Sequence, residues 1–145
     1  MFTIKRTSIA TLITSVCLSS MAFASDLTLI NHSNHDSTSV MNNGPCSADI
    51  LGDKGVTRAH SINVVPDKIL NTACILNKLN CKAEVHMTSD CTGPIIATVI
   101  LDVKKGIKSI TPSKNTDGYT VTGSGFTATV DGGPAFKRWL HWIYG

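Results

Sequence analysis

Four cysteines lie downstream of an N-terminal export signal, and a fifth lies inside it. Cys46, Cys74, Cys81 and Cys91 fall in the part expected to leave the cytoplasm, where thiols oxidise and pair. Two cross-links restrict the fold strongly, because each fixes where two segments must meet. Cys17 falls in the apolar stretch of the signal and is expected to be lost with it.

The signal has three recognisable parts. Lys5 and Arg6 form a basic start, residues 9–18 an apolar run, and Ala22-Phe23-Ala24 an A-x-A site. Cleavage is expected after Ala24. The apolar run is shorter than the ~20 residues that a helix needs to cross ~30 Å of hydrocarbon. Val16 and Thr14, immediately before and three before Cys17, depart from a lipidation pattern. The organisation expected is therefore a signal peptide over 1–24, a domain over 25–133 and a tail over 134–145. The location expected is secreted or periplasmic.

Four cysteines allow three connectivities. A straight strand from 81 to 89 spans ~26 Å at ~3.3 Å per residue. Bridged Cα atoms lie within ~7 Å of one another. Pairing Cys81 with Cys91 thus requires a bend, and we rank it lower. Cys74 and Cys81 flank the loop Ile75-Leu76-Asn77-Lys78-Leu79-Asn80, and Cys46 and Cys91 both sit beside Gly-Pro turns. Cys74–Cys81 with Cys46–Cys91 is the arrangement expected. No C-x2-C pair is present to start a zinc site.

Removing 24 residues leaves 121 of the 145, enough for one domain with its own core. Taking Lys5 and Arg6 from the 13 basic residues leaves 11 against 10 acidic ones, a net charge of +1. That balance gives no electrostatic footprint for nucleic acid. Nine of the ten acids are Asp, and Asn, Gly, Ser and Thr fill most other polar positions. Such residues suit turns and caps better than helix interiors.

Short apolar runs separated by turn signals predict strands over 27–30, 37–41, 46–51, 60–65, 81–89, 95–103, 107–111, 119–122 and 126–130. Residues 69–75 predict a further strand, with a helix over 67–79 as the alternative. Cys81, Ala83, Val85 and Met87 alternate with Lys82, Glu84, His86 and Thr88, which marks a strand with one wet face. The run over 95–103 is apolar on nearly both faces and suits a central strand. The fold class expected is all-β, an antiparallel, Greek-key-like β-sandwich with two disulfides and a short C-terminal amphipathic helix or tail.

The tail has its own composition. Phe136, Trp139, Trp142 and Tyr144 crowd the last ten residues, with Lys137, Arg138 and His141 opposite the apolar side of a helical wheel. Three readings stand open. The tail is a helix docked on the sandwich, an anchor for a membrane surface or partner, or a segment foreign to the ancestral domain.

Candidate chemistry is sparse. His32, His35 and Asp36 share one loop and have metal-ligand character, but the same residues are ordinary turn chemistry. Glu84 and His86 share a strand face, where a carboxylate can orient an imidazole, though a solvated face explains them as well. Arg58 and His60 lie close together in the segment 53–60. Lys104, Lys105 and Lys108 form a basic cluster beside one turn, suited to anionic sugars or headgroups or simply to solubility. There is no G-x-S-x-G elbow, P-loop, dinucleotide fingerprint or EF-hand loop. No cofactor and no metal are expected.

Asn42-Asn43-Gly44-Pro45-Cys46-Ser47, Gly55-Val56-Thr57, Cys81-Lys82-Ala83-Glu84-Val85-His86-Met87 and Cys91-Thr92-Gly93-Pro94 together resemble a pattern of small secreted proteins of intracellular Gram-negative pathogens. The resemblance covers residues 26–110. It implies export and a disulfide-bearing β domain, and it brings no catalytic residues.

The first functional reading is an exported, non-catalytic binding module for a protein, glycan or host-surface partner. Its candidate binding residues are His32, His35, Asp36, Arg58, His60, Trp139 and Trp142. The second is a membrane-docking protein that uses residues 136–144. The third is a small secreted hydrolase built on His60 or on the Glu84–His86 face.

Overall fold

Eight strands form two four-stranded sheets in a computed structural model that describes residues 25–134. The signal peptide with its cleavage site and the tail residues Phe136, Trp139, Trp142 and Tyr144 lie outside the described residues. The strands are β1 Leu27–Asn31, β2 Thr38–Met41, β3 Ser61–Val65, β4 Cys81–His86, β5 Ile95–Asp102, β6 Gly106–Pro112, β7 Tyr119–Ser124 and β8 Thr127–Gly132. One sheet has the order β3-β1-β8-β7 and the other β2-β4-β5-β6.

The second sheet is antiparallel throughout. Its centre includes β5, where Ile96, Ala97, Val99 and Leu101 are buried. The first sheet is mixed. β1 pairs antiparallel with β3 but parallel with β8, in the register Thr28 with Thr127 through Asn31 with Val130. This parallel pair is a departure from the wholly antiparallel expectation. It joins the first and last strands, so no hairpin constrains their relative direction.

Two segments expected as strands are helical. Residues 46–51 give α1, Ser47–Leu51, because the Cys46 carbonyl accepts from the amides of Asp49 and Ile50 and turns the chain at once. Gly52, at φ 60°, then ends the helix. Residues 69–75 give α2, Asp67–Ala73, so the helical alternative holds for its first half. Pro66 precedes it, Leu70 and Cys74 place one apolar face on the core, and the Cys74–Cys81 bridge stops it short of residue 79.

Disulfides join Cys46 to Cys91 and Cys74 to Cys81. The core falls into two clusters. One gathers Ala83, Val85, Met87, Ile96, Val99, Tyr119 and Val130. The other gathers Leu27, Leu70, Cys74, Cys81, Leu101 and Val103. Between the sheets is a cavity of about 120 Å³, walled mainly by aliphatic side chains such as Leu29, Met41, Val99 and Val121.

Strand direction gives the sandwich two distinct ends. β1 and β8 finish at the same end, where the loops over 32–37, 56–60, 87–94 and 113–118 also lie. We call it the polar pole. The opposite pole carries α2, the Cys74–Cys81 loop, the turn over 103–105 and the turn at Gly125.

Candidate functional site

Strand β1 ends at Asn31, whose side chain turns inward and is almost completely buried, at 1% exposure. A buried amide must find partners, and this one finds them in the loops above it. Its Nδ2 donates to the carbonyls of His35 (2.7 Å) and Thr57 (3.1 Å). Its Oδ1 accepts from the Ser33 amide (2.9 Å) and hydroxyl (2.7 Å). One side chain thus ties the loop after β1 to the segment before β3.

A second tie lies nearer the surface. Asp36 accepts from the Ala59 amide at 3.0 Å and from Arg58 Nη1 at 2.9 Å. Arg58 Nη2 reaches the exposed Asp53 at 3.0 Å. The Ala59 amide, and after it the Arg58 guanidinium, hold the Asp36 carboxyl below its ordinary range, against the opposing effect of burial. Ser37 and Thr57 complete the junction with a pair of backbone hydrogen bonds, each 2.9 Å.

The candidate residues divide between this framework and the surface above it. His60 has a left-handed backbone at φ 55°, uncommon outside glycine. Its amide donates to the Ser33 carbonyl (3.2 Å), and its Nε2 lies 2.6 Å from Asn34 Oδ1. His32 Nδ1 is 2.9 Å from Asp131 on β8. His35 Nδ1 is 2.9 Å from the Tyr119 hydroxyl, with the two rings edge to face. Burial, and then the nearby Asp117, push the Tyr119 phenol up. His32, His60, Ser61, Ile30 and Ile62 border a shallow cleft on the outer face of the first sheet.

His32, His35 and Asp36 therefore share a loop but face three different partners. Among the described residues no group of three or more His, Cys, Asp or Glu is placed to hold a metal ion. The wet-face expectation for β4 fails at His86. A bulge at Val85/His86 shifts the register, and the ring is buried with Nδ1 on the Gly93 carbonyl at 3.1 Å. Glu84 faces Lys82 instead, at 3.8 Å. Asn31 and Asn34 fall in the candidate loop over 31–36, but no residue-level signal marks them, and none marks Tyr119 or Asp131. Only the turn-rich character of Asn31-His32-Ser33-Asn34 hinted at the first two, and the others come from strands distant in sequence.

Comparison with known families settles the relationship. The model of the family described as "T2SS substrate NttC" matches residues 1–135. The chain belongs to the NttC family. Its tail from Phe136 onward lies beyond the matched residues. The crystal structure of the Legionella pneumophila type II secretion system substrate NttC is similar, with a TM-score of 0.59 and 24% sequence identity. The likeness covers 76% of this chain and 99% of that one. At this identity it supports the fold. No curated protein matches the chain. Membership of a family of type II secretion substrates implies export through the periplasm to secretion.

Proposed function

We propose that this chain is an exported, non-catalytic binding module, cut after Ala24, whose polar pole recognises a protein or glycan on a host surface. One observation carries the reading. The loop over 31–36 and the segment over 53–60 are joined through Asn31 and Asp36 into one ordered surface. Side chains held in place before binding lose little freedom on binding, so each contact contributes more affinity. His60 supports the same reading, because strained backbone persists where its surroundings over-determine it. The exposed groups offer hydrogen bonds from Asn34, Arg58 and His60 beside the apolar edge of Ile30 and Ile62.

The test is binding of the oxidised, processed protein to a glycan array and to intact host cells. Saturable binding is expected, weakened roughly tenfold or more by Arg58→Ala with His60→Ala, the scale on which hot-spot residues act. Equal binding by the double variant would remove this surface from the account. Failure of the wild-type protein to bind any glycan or cell would remove the module itself.

A further inference from the structure

The Cys74–Cys81 loop has large aliphatic side chains turned to water. Ile75 is 66% exposed, Leu76 88% and Leu79 63%. Three such residues within six are unusual for a loop that the fold takes care to order. The disulfide closes its base, the Asn77 amide donates to the Cys74 carbonyl (3.0 Å), and the Asn80 amide donates to Asn77 Oδ1 (3.1 Å). The Val103 amide donates to the Lys78 carbonyl (3.0 Å). The backbone is pinned, and among the described residues the aliphatic groups stand exposed.

Cations surround them. Lys78 lies within the loop, and Lys108 Nζ bonds Asn80 Oδ1 (2.6 Å) and the Leu79 carbonyl (3.3 Å). Lys104 and Lys105 follow Val103 in the adjoining turn and are exposed. Asp102, at the start of that turn, accepts from the amides of Lys104 (2.8 Å) and Lys105 (3.2 Å). Asp26 and Asp67 sit together at the far end of α2, about 10 Å away at 1.5 Å per helical residue.

We propose that this loop docks the protein on anionic lipid bilayers, with Ile75, Leu76 and Leu79 entering the interface and Lys78, Lys104, Lys105 and Lys108 meeting the headgroups. The chemistry favours lipid over protein. Lysine is depleted in protein interfaces, and three aliphatics on a small loop fall far short of the ~800 Å² that each partner buries in a stable complex. A shallow apolar tip ringed by lysine instead matches an interfacial anchor, where area and charge act together. The aromatic tail departs from Pro134, next to Gly132 and Gly133 at the polar pole, and so starts at the opposite end of the sandwich.

The experiment is co-sedimentation of the oxidised, processed chain with phosphatidylcholine vesicles containing about 30% phosphatidylglycerol, against pure phosphatidylcholine. Binding is expected on the anionic vesicles and is expected to weaken with salt. Ile75→Ser/Leu76→Ser/Leu79→Ser should lower the partition coefficient at least about tenfold. Lys104→Gln/Lys105→Gln should lower it by on the order of 25-fold, because each lysine near such a surface contributes a factor of about five. Leu76→Trp, in a chain carrying Trp139→Phe and Trp142→Phe, should be quenched by brominated lipid. These positions are exposed, so the variants should keep the wild-type circular dichroism. Undiminished binding by both loop variants would overturn the proposal. So would binding lost on deletion of 135–145 but kept by the loop variants, which would assign docking to the tail. Either failure leaves the polar-pole reading untouched, because its residues lie at the other end of the domain.

Discussion

Asn31 spends its whole side-chain bonding capacity on two loops, and it does so from a position closed to water. Replacing it with alanine removes the acceptor of the buried Ser33 amide and one of the two donors to each of the Thr57 and His35 carbonyls. We expect Asn31→Ala to lower unfolding free energy by about 2–3 kcal/mol, measured by urea titration of the oxidised protein. Asp36 makes the second tie, with a titratable group. Its folded pKa is lowered, chiefly by the Ala59 amide, so its contribution is complete above the unfolded value of about 3.9. The contribution fades as pH falls through the lower folded value. The stability difference between wild type and Asp36→Asn should therefore be constant above about pH 5 and shrink below about pH 4. A difference that grew on acidification would contradict the contact.

The turns between elements are as specific as the residues that tie the loops. Gly106 opens β6 at φ 96°, and a Cβ there would strike the backbone carbonyl of Gly125, the group that also accepts from the Ile107 amide at 2.7 Å. Gly106→Ala should cost about 2 kcal/mol or more, seen as a lowered Tm, because both the conformation and the space exclude a side chain. Asn42 and Asn43, at φ 50° and 58°, form a type I′ turn closed by the Gly44 amide on the Met41 carbonyl (2.9 Å). Such elements were legible in the sequence. Asn-Asn-Gly announces its turn, and the alternation from Cys81 announces β4. The helix α1 was not legible, because Cys46-Ser47-Ala48-Asp49-Ile50-Leu51 has no repeated apolar face and its shape follows from the Cys46 carbonyl and the Cys91 bridge. The burial of His86 was not legible either, since one bulge late in β4 moves a ring from the wet face to the Gly93 carbonyl.

At the scale of the molecule, two sheets and two staples separate two surfaces of different character. The Cys46–Cys91 bridge spans 45 residues and the Cys74–Cys81 bridge spans 7. Chain entropy assigns them about 4 and about 2 kcal/mol of stabilisation. The sandwich itself could be read from spaced strands and turn residues. The parallel pairing of β1 with β8 could not, because no local signal sets the direction of strands so far apart. The gathering of His32, His60, Arg58 and Asp36 at one pole was foreshadowed only as separate loops. Their union depends on Asn31 and on the Ser37–Thr57 bridge, which are tertiary facts. The central claim is that this pole is built before any partner arrives, and native-state hydrogen exchange reads that directly. The amides of Ser33, Thr57, Ala59 and His60 should exchange as slowly as strand amides in the unbound protein, with Ala59 released selectively by Asp36→Ala. Exchange of all four at the rate of an open loop, unchanged by that substitution, would contradict it.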